Sequence, residues 1–152
     1  MISLATDPLV FLALSIAGGL GAACRFALDS AITAAFARRA AKAATGGSAD
    51  ASSVSPSLPW GTVIVNLSGS FVLGLIAGLV TAGVWPPEVQ LVVGVGFLGG
   101  YTTFSTASFQ TAQLLRQGWT GAGILTGLGQ LVGATLLAGV GLAAGFVAQL
   151  FF

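Results

Sequence analysis

The spacing of its charges is what most constrains this chain. Asp7, Arg25, Asp29, Arg38, Arg39, Lys42, Asp50, Glu88 and Arg116 are its only charged side chains, and long apolar runs separate them. A helix needs about 20 residues to cross a hydrocarbon core of about 30 Å. Four runs meet that length, at residues 9–36, 60–84, 89–116 and 121–150, with a flexible loop at 38–59 rich in Ala, Gly, Ser and Pro. Only 6% of the residues are charged and 55% are hydrophobic, whereas soluble domains carry about 25% charged residues. The expected fold class is therefore an all-α integral membrane protein, a single domain over residues 1–152 with four transmembrane helices.

The same composition excludes several functions. A net charge of +1, with no basic run interleaved with aromatics, gives nucleic acid nothing to bind. Cys24 is the only cysteine and there is no histidine, so intrachain disulfides and Cys/His metal sites are ruled out. With no base in view to activate it, Cys24 reads as a small packing residue. No nucleophile–base pair and no carboxylate pair is present, which argues against an enzyme. The N-terminus carries Asp7 and no basic region, unlike a cleaved signal peptide, so the first span is expected to remain in the mature protein.

One stretch departs from ordinary membrane helix. GVGFLGGYTTFSTASFQTAQ, residues 94–113, opens with Gly94, Gly96, Gly99 and Gly100, then sets Thr102, Thr103, Ser105, Thr106 and Ser108 around Phe104. Glycine costs a helix about 1 kcal/mol per residue relative to alanine, and hydroxyls offer the backbone other partners. The pattern predicts a third helix broken near its middle. Irregular backbone at membrane depth is tolerated only where protein or a cavity covers it, so the break is a candidate ion or substrate site. The glycines also spell GxGxxG, but the acidic residue that a dinucleotide site needs about 20 positions on is missing, since no carboxylate follows Glu88.

Polar residues in the other spans have two readings each. Arg25 follows the small-residue run Gly18, Gly19, Gly21, Ala22 and Ala23. A charge inside a span is a functional candidate; alternatively Arg25 snorkels to headgroups or pairs with Asp29 one turn later. In span two, Thr62, Asn66, Ser70, Gly74 and Gly78 recur every four residues along one face. Asn66 either bonds a neighbouring helix or donates into a polar pathway. Thr106, Gln110 and Gln113 share a face in span three, and Thr126 and Gln130 lie one turn apart in span four. Neutral donors and phenyl edges favour an anion, whereas carbonyls freed at residues 99–102 have the polarity for a cation.

Three segments, GGLGAACRF at residues 18–26, GTVIVNLSGSFVLG at 61–74 and GFLGGYTTFST at 96–106, resemble the signature segments of the Fluc (CrcB) family of fluoride channels. The resemblance covers spans one to three in order. It implies passive, fluoride-selective export by a four-helix subunit of the bacterial inner membrane. It also implies an antiparallel, dual-topology dimer with two pores at its interface and a central structural Na⁺. Asn66 matches the family's pore asparagine, Phe104 its first pore phenylalanine, Ser105 and Thr106 its pore hydroxyls, and Arg25 its first-span arginine. Ser70 lies on the same stripe as Asn66. Thr126 and Gln130 stand where the family often has a tyrosine and a serine, and the backbone carbonyls of Gly99 and Thr102 match its Na⁺ ligands.

Two departures stand out. The family pattern TTFSTF, with a glutamate four residues after its last threonine, is here TTFSTA with Ala107 and Gln110 in those places. A lost ring removes one edge from the fluoride path. This leaves a non-conducting structural subunit of a heterodimeric channel as an alternative, and a small multidrug-type transporter as a weaker one, because no membrane carboxylate is present to couple protons. With four spans, Arg38, Arg39, Lys42 and Arg116 fall on one side and Asp7 and Glu88 on the other. That bias predicts one fixed orientation and a pairing with an oppositely inserted, related subunit; a homodimer is the alternative for a chain that inserts both ways.

Overall fold

A computed structural model describes residues 8–45 and 56–151. Its elements are helices throughout: α1 (Pro8–Thr45), α2 (Trp60–Thr81), the short α3 (Pro87–Val89), a π-helical segment (Gln90–Leu98), α4 (Gly99–Tyr101), α5 (Phe104–Arg116) and α6 (Thr120–Ala148). Long continuous apolar runs form helices in lipid, which satisfy every backbone group within the segment where no water is present to do so. Among the described residues, three helices are long and apolar enough to cross a membrane: Pro8–Lys42, Trp60–Thr81 and Thr120–Ala148.

α1 runs past the end expected at residue 36, and residues 38–45 are helix where a loop was expected. Alanine, arginine and lysine, which dominate this extension, are strong helix formers, and Lys42 in the last turn complements the helix dipole. Of the expected loop, residues 46–55 lie outside the described residues. α2 stops at Thr81, three residues before the expected boundary. Gly83 takes φ +75°, and the Val84 and Gly83 amides cap the Leu79 and Val80 carbonyls at 2.9 and 3.0 Å. Gly118, with φ +85°, ends α5 in the same way, Trp119 bonding Leu114 at 2.9 Å. These are Schellman caps, which need a residue free to adopt positive φ.

The helices associate as two parallel pairs. α2 and α6 share the most extensive interface in the fold. A side chain at Gly74 would collide with the Ala138 carbonyl, and one at Gly141 with the Phe71 carbonyl, so the two backbones touch where both lack a Cβ. In the second pair α1 lies along the π-helical segment and α4. Gly21 faces the Phe97 carbonyl and Gly100 faces the Gly18 carbonyl at equally close range. Small residues permit such approach, and dispersion between close backbones drives association where lipid offers no hydrophobic gain. α1 and α2 run antiparallel, joined at one end by the stacked rings of Phe36 and Trp60, 5.4 Å between centroids.

The buried apolar core is small, with Val65, Ile76, Leu79, Leu98 and Leu114 as its members, while many large apolar side chains such as Phe11, Leu136 and Val140 are exposed. An apolar exterior of this kind suits lipid. Gly141→Val should therefore act through backbone separation, not through loss of a hydrophobic contact. Such overpacking destabilises by about 1–3 kcal/mol, and thermal unfolding in detergent micelles should show a lowered midpoint.

Candidate functional site at the helix interruption

The site begins at two residues that leave helical geometry. After α4 ends at Tyr101, Thr102 adopts φ −82°, ψ 159° and Thr103 φ −149°, ψ 122°, both extended, before α5 starts at Phe104. The interruption falls on β-branched threonines, whose stiff side chains suit extended backbone. Gly94 and Gly96, upstream, are instead buried in the π-helical segment. Thr102 still donates its amide and its hydroxyl to the Leu98 carbonyl, both at 2.9 Å. Thr103 is the N-cap of α5: its hydroxyl accepts the Thr106 amide at 3.2 Å and donates to the Thr106 hydroxyl at 3.1 Å. The Ser105 hydroxyl lies 3.3 Å from the same oxygen.

The Thr103 amide would otherwise be unpaired, while its carbonyl, which as that of the N-cap accepts the first bond of α5, keeps a second lone pair. Asn66 on α2 takes both, accepting the Thr103 N–H on Oδ1 at 2.8 Å and donating from Nδ2 to the Thr103 carbonyl at 2.9 Å. The second Nδ2 hydrogen goes to Gln130 Oε1 on α6, at 3.0 Å. One side chain thus ties three elements together. Gln130 is 6% exposed, and its Nε2 has no hydrogen-bond partner among the described residues.

Beside this network lies a cavity of about 500 Å³ lined by Asn66, Ser70, Thr103, Phe104, Ala107 and Gln130, among others, with no charged side chain in its wall. A smaller cavity of about 170 Å³ between Trp60, Thr126 and Gln130 adjoins it. Of the residues singled out in the sequence, Asn66, Ser70, Thr102, Phe104 and Gln130 meet at the larger cavity. Phe104 is 81% exposed at its rim. Thr126, buried, lines only the smaller one. Ser105 and Thr106 belong to the cap of α5 and are not in either wall.

Arg25 lies elsewhere. Its Nε donates to the Gly100 carbonyl at 3.3 Å, and it forms no ion pair with Asp29. Asp29 is held instead against the start of α2, where any side chain on Gly61 would collide with its carboxylate. A carboxylate there meets the positive end of the α2 dipole. Gly99 sits in α4 just before the interruption. Thr103, which the sequence marked only as one hydroxyl of the break, is central to the site as N-cap and as the partner of Asn66. The signal was available in Thr103 and Thr106, a hydroxyl residue followed three positions later by another, as at a helix N-terminus.

Comparison with known proteins gives this geometry a context. The sequence pattern of a family described as CrcB-like protein, Camphor Resistance (CrcB), matches residues 12–142. The chain belongs to this family. Among CrcB relatives, "Fluoride-specific ion channel FluC 1" of Leifsonia xyli subsp. xyli is 42% identical over 141 residues, covering 93% of this chain and 90% of that protein. "Fluoride-specific ion channel FluC" of Novosphingobium aromaticivorans is 35% identical over 129 residues, covering 85% and 90%. That of Solibacter usitatus is 35% identical over 122 residues, covering 80% and 85%. Like the family, the chain is a multi-pass membrane protein and not an enzyme.

Removing the Asn66 amide leaves the Thr103 amide without a partner and takes one donor from the Thr103 carbonyl. A buried group stranded in this way costs about 1–3 kcal/mol, so Asn66→Ala should lower the unfolding midpoint in detergent clearly more than Thr103→Ala. The latter removes an N-cap worth about 1 kcal/mol.

Proposed function

We propose that this CrcB chain is a subunit of a fluoride-selective channel that lets fluoride leave the cell passively and so lowers its cytoplasmic concentration. The observation that carries the reading is the uncharged, donor-bearing cavity at the helix interruption, in a chain whose relatives carry the name fluoride-specific ion channel. Fluoride is a small, strongly hydrated anion. To enter the membrane it must exchange water for fixed donors, and amides, hydroxyls and positive phenyl edges supply them without trapping the ion as a full positive charge would.

Several finer points belong to the same reading. α3, the π-helical segment, α4 and α5 act together as one interrupted third span, completing four. The subunit pairs with a second in antiparallel fashion, and the exposed Phe104 ring faces the shared pathway. Asn66, Ser70, Phe104, Ser105, Thr106, Thr126 and Gln130 are its pore residues, with Arg25 supporting the interruption through Gly100.

Na⁺ at the centre of the dimer would be held by the Gly99 and Thr102 carbonyls. The residues fit it. Thr103 N–H, the helical donor that Gly99 would normally receive, is committed to Asn66, and Thr102 is extended, so both carbonyls stand outside the regular ladder. Carbonyl oxygens are hard, neutral ligands suited to an alkali cation, which would add charge compensation and a tie between subunits.

Arg38, Arg39, Lys42 and Arg116 share one end, because α1 and the segment leading to α5 run parallel. This supports insertion in the inner membrane with that end in the cytoplasm, and a dimer completed by an oppositely oriented, related subunit where one chain does not insert both ways. Terminal tags mapped for sidedness should report one orientation.

The direct test is fluoride efflux from liposomes containing the chain, read with a fluoride electrode against chloride. Fast efflux selective for fluoride, lowered at least tenfold by Phe104→Ile, is the expected result. No efflux from a folded dimer, alone or with its related subunit, would remove the channel reading.

A further inference from the structure

α1 outruns the bundle it belongs to. Asp29 is level with the first turn of α2, since a side chain on Gly61 would collide with its carboxylate. α1 nevertheless continues to Thr45, about 24 Å farther at 1.5 Å per residue. The other helices stop near the lower level: α2 begins at Trp60, α5 ends at Arg116 and α6 begins at Thr120. The contacts of Asn66 with Gln130 and of Gly127 with Thr111 set those three ends within about 6 Å of one another along the bundle axis.

What overhangs is basic. Arg38, Arg39 and Lys42 are all exposed, and residues 30–59 offset them only with Asp50. The two carboxylates among the described residues lie elsewhere, Asp29 against Gly61 and Glu88 in α3 at the opposite end. At 3.6 residues per turn the three cations fall within an arc of about 100°. Phe36 faces the bundle through its stack on Trp60, and it lies about 160° round the helix from Arg38 and about 120° from Lys42. These two charges therefore overhang what surrounds the protein, not the mouth of the smaller cavity at Trp60.

Depth identifies those surroundings. Trp60 opens α2 and Trp119 precedes α6 at this end, while Trp85 follows α2 at the other, as amphipathic rings do at the two surfaces of a membrane. Arg38 and Arg39 are two and three residues past Phe36, about 3 to 5 Å along the axis, and headgroups fill a layer of about 5–8 Å outside the hydrocarbon core. Lys42 is about 9 Å past Phe36. Its side chain leans back, because Cα–Cβ bonds tilt toward a helix's N-terminus, which for this part of α1 means toward the membrane.

We infer that the overhanging end of α1 is a docking surface for anionic phospholipid headgroups, with Arg38, Arg39 and Lys42 as its contact residues. Guanidinium groups bind phosphate oxygens through paired hydrogen bonds, and a cationic segment next to a membrane span draws anionic lipid from the adjoining leaflet. The lipid is recognised by its charge and not by its chains. This surface is independent of whether the chain conducts and of which side of the membrane the basic end occupies.

The test reads lipid contact directly. The full chain carries Trp85→Phe and Trp119→Phe, so that Trp60, 40% exposed beside the overhang, is the only reporter. It is reconstituted in phosphatidylcholine bilayers with a minor fraction of either phosphatidylglycerol or phosphatidylcholine brominated near the top of one acyl chain. Bromine quenches tryptophan on contact, so the ratio of the two quenching constants measures enrichment of the anionic lipid. Phosphatidylglycerol should be enriched at least threefold. Replacing all three cations, by Arg38→Gln, Arg39→Gln and Lys42→Gln, keeps helix formers at each position and should bring the ratio close to one. Equal quenching with the three cations intact would overturn the inference even if the triple variant failed to fold, and a preference that survives the triple substitution would overturn it as well.

Discussion

Everything at the centre of this protein depends on a backbone that stops being helical inside an apolar surround and on the one amide that makes this tolerable. Thr102 and Thr103 leave the ladder, so the Thr103 amide needs an outside partner. In hydrocarbon an unsatisfied group costs several kcal/mol. Asn66 provides one donor and one acceptor at the spacing that a neighbouring strand would, and Gln130 holds Asn66 in place. The clamp frees the Gly99 carbonyl and aims α5, whose first residue is Phe104. Local polarity and the direction of a whole helix are thus coupled through a single side chain.

That coupling needs rigid neighbours, and the glycines provide them. α2 carries Asn66 and α6 carries Gln130, and backbone contact through Gly74, Gly78, Gly141 and Gly145 keeps the two in register. Where backbones meet without side chains between them, sliding or tilting immediately produces a clash, because close-packed interfaces are not continuously deformable. On the opposite side, Gly18 and Gly21 bring α1 against the segment before the interruption, where Arg25 reaches Gly100. The polar network therefore sits between two helix pairs that are each held by close approach.

The chemistry of the cavity follows from what its wall excludes. Donors without full charges can balance the dehydration of a small anion and still release it, the condition any conducting site must meet. A lysine or arginine in the same wall would bind too tightly, and a carboxylate would repel. Among the described residues, no charged side chain lines this wall. Arg25 and Asp29 both lie on α1 and turn to different helices, Arg25 to the Gly100 carbonyl and Asp29 against Gly61.

Much was legible in the sequence by itself. Sparse charges and apolar runs determined an all-helical membrane protein, because hydrocarbon admits no other open backbone; the hydroxyl cluster after the glycines marked the right stretch; and the segments around Arg25, Asn66 and Phe104 carried the family. Only the tertiary structure decided the rest. That Asn66 bonds Thr103, that Arg25 turns to Gly100 and Asp29 to Gly61, and that Gln130 Nε2 is buried without a partner are matters of which helices face each other at which height. α2 and α6 meet across more than 60 positions of sequence, and no local pattern contains that register. A polar side chain in one span advertises a need for a partner, but the partner's identity is set by the packing of backbones around it.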